Sequence, residues 1–198
     1  MPVLSITARG FRNAVFRSMV RPLLAVLCLV SGLAPLPGAT LQSLSLEEMA
    51  CKATAIVRGR VSGSYAAAQG SAIYTHYQIQ VLERWKGANG NTVDLMLPGG
   101  SASGYRQSFS GIPQLSTRNE YVLFLWTGKS GITQLIGLSQ GVFDVAKDSS
   151  GEFMATRAFT SELMLNASGK AVADQPFQMR LADMSSAVSK ALARSVAK

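Results

Sequence analysis

From Ile73 to Trp85 the chain alternates. Ile73, Thr75, Tyr77, Ile79 and Val81 fall on one side, and Tyr74, His76, Gln78 and Gln80 on the other. A period of two predicts a strand with one buried face. Val93, Leu95 and Leu97 repeat the pattern after the turn-rich Trp85–Asn91 stretch. Upstream, Ala55–Val61 also reads as a strand, and Gly59 inside it predicts a bulge or sharp bend. Ser62–Gly70 is small and polar and reads as a turn or wide hairpin loop.

Glu120–Trp126 is apolar almost throughout, the mark of a strand buried on both faces. Thr127–Gly131 is a tight turn, Ile132–Leu138 and Gly141–Val145 are further strands, and Lys147–Gly151 leads into a return strand over Glu152–Arg157. Helical signals occur at the two ends of this region. Ser45-Leu46-Glu47-Glu48 has capping-box spacing and predicts a short helix to about Ala53. Leu181, Met184, Val188 and Leu192 recur at three- and four-residue spacing, which predicts an amphipathic helix over about Arg180–Arg194 that either packs on its own domain or docks on a partner or a membrane surface. Phe159–Gln175 has no clear period.

The expected architecture is mainly β: a small OB-like barrel of five to seven strands, with a short N-terminal helix and a C-terminal amphipathic helix. Bent early strands with a glycine bulge suit a closed barrel. The expected organisation is a signal peptide at 1–39, the barrel domain at 40–157, an irregular linker at 158–176 and the terminal helix at 177–198.

The signal-peptide reading rests on Arg9, Arg12, Arg17 and Arg21, followed by the apolar run Pro22–Ala34, then Pro35, Pro37 and Gly38-Ala39. The run is 13 residues long, where a membrane-spanning helix needs about 20. No Arg-Arg pair marks a twin-arginine signal. Val26-Leu27 precede Cys28 where a lipoprotein site needs small residues. Met19 is an alternative start. Sec-type export to the periplasm or outside the cell follows, with no stable membrane span after cleavage.

Ala53–Val61 resembles the first barrel strand of netrin/tissue-inhibitor-of-metalloproteinase-type OB domains. Tyr77–Gly87, ending in Trp85-Lys86-Gly87, resembles their next strand, and Glu120–Leu125 a later one. The chain is also similar to a group of uncharacterised bacterial exported proteins, through Pro98-Gly99-Gly100, Gln107, Gly111, Pro113 and Gly137–Phe143. The resemblance spans about Leu46–Val145 and implies a fold more than an activity. The inhibitors chelate zinc with an N-terminal cysteine in a Cys-x-Cys stretch and carry disulfides. This chain has neither, so metalloprotease inhibition is not implied.

Charge alters the picture only modestly. The chain has 19 Lys and Arg against 11 acids, net +8. Residues 1–39 hold four of the arginines and no acid, so 15 against 11 leaves +4 beyond them. That excess is a weak argument for nucleic acid or another anionic polymer. Cys51 is the one cysteine beyond residue 39, so no intramolecular disulfide forms there, and a lone thiol in an oxidising compartment is expected to be buried. Two cysteines and one histidine exclude the usual zinc sites.

Catalytic signatures fail in turn. Gly128-Lys129-Ser130 lacks the upstream glycine of a P-loop and the helix after it, so no nucleotide is expected. Gly100–Gly104 approaches G-x-S-x-G but has Ala102 at its centre. His76 reads as a polar-face residue of a strand. Asp94 and Glu120 have no spacing that brings them together as an acid–base pair. No catalytic residue, metal or cofactor is assigned.

The remaining candidate is the 21-residue stretch Pro98–Arg118, too long for an ordinary connection. It carries Tyr105, Arg106, Gln107, Phe109 and Arg118, and Gln140 is expected near it. Tyrosine and arginine are the usual interface anchors. Either these aromatics plug one end of the barrel, or they form a recognition surface. The functional expectation is an exported, non-enzymatic binding module for an envelope or secreted protein, a peptide or a glycan. The alternatives are an accessory or regulatory domain of a secreted hydrolase, and an OB groove for nucleic acid or another anionic polymer.

Overall fold

A computed structural model describes residues 40–87, 89–160 and 162–197. The stretch read as a signal peptide lies outside the described residues. Strand β1 (Thr40–Gln42) and helix α1 (Leu46–Lys52) come first. The capping box forms as the sequence predicts: Ser45 Oγ accepts from the Glu48 amide at 3.2 Å, and Glu48 Oε2 accepts from the Ser45 amide at 2.8 Å. Glu47 and Glu48 at the start and Lys52 at the end complement the helix dipole.

Two 15-residue strands follow, β2 (Ala55–Gln69) and β3 (Ala72–Lys86), then β4 (Thr92–Pro98). Ser62–Gln69, expected as loop, continues β2, because the antiparallel ladder with β3 runs unbroken from Gly63↔Gln78 to Gln69↔Ala72. Before that the register shifts at Ile56/Val57, Arg58/Gly59 and Val61/Gly63. The expected bulge at Gly59 is one of these. A Cβ at Gly59 would lie 2.4 Å from Ile79 Cγ2 and 2.9 Å from the Gln80 carbonyl oxygen, so only glycine permits this approach.

The Pro98–Arg118 stretch contains a small hairpin, β5 (Gly100–Ala102) and β6 (Tyr105–Gln107). Strand β7 (Glu120–Thr127) then pairs with β2 along one edge. Its other edge is shared by β8 (Thr133–Leu135) and β9 (Val142–Lys147). A 3-10 turn, Leu138–Gly141, lies between those two. The Gly128-Lys129-Ser130 segment is the β7–β8 turn, closed by the Gly128 amide on the Ile132 carbonyl at 3.1 Å. Strand β10 (Phe153–Arg157) pairs with β9.

The unpatterned Phe159–Gln175 segment holds two short strands, β11 (Leu163–Leu165) and β12 (Ala171–Val172). β11 pairs in parallel with β1 and antiparallel with β12. At the C-terminal end one expectation is corrected. Phe177–Arg180 is not the start of the helix but a strand, β13, paired with β10 from Arg157↔Phe177 to Met154↔Arg180. Helix α2 occupies Leu181–Val196. Phe177 and Met179 alternate with Gln178 and Arg180, and a partner strand 20 to 26 positions upstream makes that short alternation a strand.

The main sheet runs β13-β10-β9-β7-β2-β3-β4, with β8 also on β7. The molecule is mainly β with two α-helices among the described residues. It has eight strands in this sheet rather than five to seven. No described ladder joins β4 to β8 or to β13, so the hydrogen-bonded circuit of a closed barrel is not completed.

β7 explains the core. Val122 and Phe124 point to one face, where they meet Ile56, Phe143 and Ala155 beneath Met49 and Ala50 of α1 and Leu181, Met184 and Val188 of α2. Tyr121, Leu123 and Leu125 point to the other, where they meet Val57, Val61, Ile79, Leu95 and Leu135. Both faces are dry, so the strand reads as a continuous apolar run. Of the two readings of the C-terminal helix, packing on its own sheet is the one observed. Cys51 corrects another expectation: it is exposed. Met49 and Ala50 take the buried face of α1, and the helical rotation per residue turns the next position to solvent.

Candidate functional site

Beyond Val61, β2 has only β3 as a ladder partner, but β3 keeps β4 on its other edge as far as Tyr74↔Pro98, so a three-stranded ribbon extends there and is two-stranded only at its tip, Ala68–Ile73. The β5–β6 hairpin folds back on the inner side of this ribbon. Pro98-Gly99-Gly100 makes that fold possible. Gly99 has φ of 104° and Gly100 of 131°, and a Cβ on Gly100 would lie 2.6 Å from Thr75 Oγ1 and 2.9 Å from Ala66 Cβ. The Gly99 amide donates to the Ile73 carbonyl at 2.7 Å, and Thr75 Oγ1 donates to the Gly99 carbonyl at 2.8 Å.

Gln107, a candidate from sequence, holds the hairpin in place. Its Oε1 accepts from the Ile73 amide at 2.7 Å, and its Nε2 donates to the Ser71 carbonyl at 3.0 Å. Both ends of the side chain are thus committed to the fold. Tyr105, Arg106 and Phe109 are free of such duties. Tyr105 is 75% exposed and Phe109 50% exposed, and Arg106 is exposed beside them. This placement does not support the reading of these aromatics as a barrel plug.

Two clefts open around the hairpin. One, of about 270 Å³, lies between the hairpin and the chain that follows it and is walled by Leu97, Pro98, Phe109, Ile112 and Pro113. The other, of about 340 Å³, lies between the hairpin and the ribbon tip and is walled by Ala68, Ile73, Ala102 and Tyr105. Arg106 lines both. Residues 108–118 are held from two sides. Ser110 Oγ donates to Oε1 of the buried Glu162 at 2.7 Å. The Ser116 amide donates to Tyr121 Oη at 2.9 Å, next to the buried Leu115.

The other two candidates lie apart from the clefts. The Arg118 amide donates to the Val61 carbonyl at 2.8 Å, its φ is 74°, and its side chain is exposed outside both. Gln140 is 2% exposed. Its Oε1 accepts from the Leu44 amide at 2.9 Å and its Nε2 donates to the Gln42 carbonyl at 2.9 Å. Gln140 therefore straps the segment between β1 and α1 to the sheet.

Several charged groups elsewhere are paired with one another. Glu120 sits between Arg58 and Arg60, with Arg58 Nη2 at 2.8 Å from its Oε2. Burial pushes this carboxyl up, but hydrogen bonds and charge from Arg60 and Arg58 outweigh it and hold Glu120 below the ordinary glutamate value. Asp94 is not beside Glu120; its Oδ2 lies 2.9 Å from His76 Nδ1. The Tyr65 ring stacks on His76 with centroids 4.6 Å apart. This trio was not anticipated from the sequence, although the register of β2, β3 and β4 brings it together on the polar face.

Among the described residues no three His, Cys, Asp or Glu side chains are grouped to hold a metal ion, and no helix is long and apolar enough to cross a membrane. Compared with protein-family models, curated proteins and solved structures, the chain matches none.

Proposed function

We propose that the chain is an exported, non-enzymatic binding module that recognises a protein, peptide or glycan through the 98–118 segment. The observation that carries this reading is the hairpin itself. Gln107 and the double glycine fix it rigidly, while Tyr105, Arg106 and Phe109 stand exposed around two clefts with no structural task. Rigid placement of exposed aromatic and arginine side chains is what a recognition surface needs. Export rests on the basic start and short apolar run of residues 1–39.

The fold behind the module is read as OB-like. β2, β3 and β4 form a meander, β7 lies on the other side of β2, and β8 lies beside both β7 and β4. That neighbour order supports a five-stranded OB core. The remaining strands and the two helices would then be additions around it.

The test is a cross-linked capture from native envelope and secreted fractions, with the full chain carrying a C-terminal tag. Wild type and the Tyr105→Ala/Arg106→Ala double variant are compared. The expected result is a partner retained by wild type and lost by the variant, with thermal stability unchanged within about 1 °C because both side chains are exposed. Equal capture by both proteins refutes the assignment to this segment.

A further inference from the structure

We infer that the two clefts flanking Arg106 take an extended polypeptide, recognised by one acidic side chain between apolar ones. This deepens the binding-module reading and rests on it. The first argument is charge. Arg106 is the only charged residue lining either cleft. Its guanidinium has no ion pair and no hydrogen bond among the described residues, whereas Arg58, Arg60, Arg157, Arg180 and Arg194 are each paired with a carboxylate. A planar fork of five donors facing only neutral groups complements a single carboxylate.

The second argument is spacing. A cleft lies on either side of that charge: one sets the apolar walls of Pro98, Phe109 and Ile112 beside the polar Thr75, Ser108 and Gln114, and the other is walled mainly by Ala68, Ile73 and Tyr105. In an extended chain, alternate side chains project to one face about 7 Å apart. An apolar-x-acidic-x-apolar segment therefore presents its three same-face groups in the order cleft, arginine, cleft. Nucleic acid fits poorly, because phosphate tracking needs several cations along a groove and this surface offers one. A polyuronate likewise carries a carboxylate on every sugar and would leave the next one facing Leu97 or Pro113.

The test is an array of randomised heptapeptides, acetylated and amidated, with Glu, Gln or Lys fixed at the centre. The full chain is applied, and the best Glu-centred sequences are titrated in solution by fluorescence anisotropy. Glu-centred peptides should bind at least tenfold more tightly than their Gln counterparts. Arg106→Gln should erase that preference. Lys129→Gln, an exposed cation on the β7–β8 turn outside both clefts, should preserve it. Phe109→Ala should weaken Glu and Gln versions by the same factor, since it alters a wall and not the charge.

Equal binding of Glu and Gln peptides, a preference that survives Arg106→Gln, or no peptide binding overturns the inference. Arg106-dependent binding of oligogalacturonate in place of peptides also overturns it, in favour of an anionic glycan. Partner capture that survives Arg106→Gln but is lost with Tyr105→Ala leaves the module reading standing without this one. Loss of both capture and peptide binding removes the two together.

Discussion

Gln140 gives the sharpest test of what holds the molecule together, because sequence placed it at the site and structure places it in the frame. Gln140→Leu keeps nearly the same volume and removes both polar ends. The bonds to the Leu44 amide and the Gln42 carbonyl are lost, each worth about 1 kcal/mol. The Gln42 carbonyl belongs to an exposed residue and rehydrates, but Leu44 is half-buried and its amide is left without a partner. That orphan adds about 1 kcal/mol. The apolar leucine offsets part of the loss, so the net cost is about 2 kcal/mol. For a chain of this size that lowers Tm by about 4–8 °C. Differential scanning calorimetry reads the shift, and hydrogen exchange at the Leu44 amide should accelerate about 30-fold or more. A Tm within 1 °C of wild type with unchanged Leu44 exchange would refute the strap. Loss of partner capture at unchanged Tm would return Gln140 to the binding surface.

Two further outcomes test the sheet. Glu120 is held below its ordinary value, so its contribution is present above the unfolded glutamate value of 4.5 and is lost as pH falls through the folded one. Urea unfolding from pH 7 to 3 should show wild type more stable than Glu120→Gln near neutrality, with the gap closing below about pH 4.5; a gap independent of pH would contradict the ion-pair account. Gly59→Ala places a methyl group against Ile79 and the Gln80 carbonyl, and the backbone atom cannot rotate away. It should cost about 3 kcal/mol, read as a lower urea midpoint at unchanged m-value, and a loss under 0.5 kcal/mol would mean the bulge relaxes freely.

The elements that sequence reveals are those whose cause is local or whose pattern is complete. The capping box at Ser45–Glu48 needs only four residues. The alternation through Ile73–Val81 and the unbroken apolar run of β7 each report directly on which faces are dry. What escapes is set by partners far along the chain. Ser62–Gln69 carries glycine, serine and alanine, residues with little strand preference, and is extended because β3 pairs with it. Phe177–Arg180 becomes a strand through β10. At the site, residue type singles out Tyr105, Arg106 and Phe109, whose side chains the structure leaves exposed rather than plugged into a barrel end. It does not separate them from Gln107 and Gln140, whose amides satisfy backbone groups more than 30 positions away. A glutamine that binds and a glutamine that staples look the same in sequence.

The projecting ribbon of β2, β3 and β4 also acts as a lever. About seven residues of β2 beyond its last bulge extend it by about 23 Å, so a change in bend of 5° at the root displaces the tip by about 2 Å. Gln107 couples the small hairpin to the ribbon, and both travel as one arm. Ile112 and Pro113 do not travel with it, because Ser110 and Ser116 moor that stretch to Glu162 and Tyr121. Bending therefore leaves the cleft under Tyr105 unchanged and alters the width of the one beside Phe109. The bulges at the base of the ribbon, rather than the residues that line it, set how wide the cleft beside Phe109 stands.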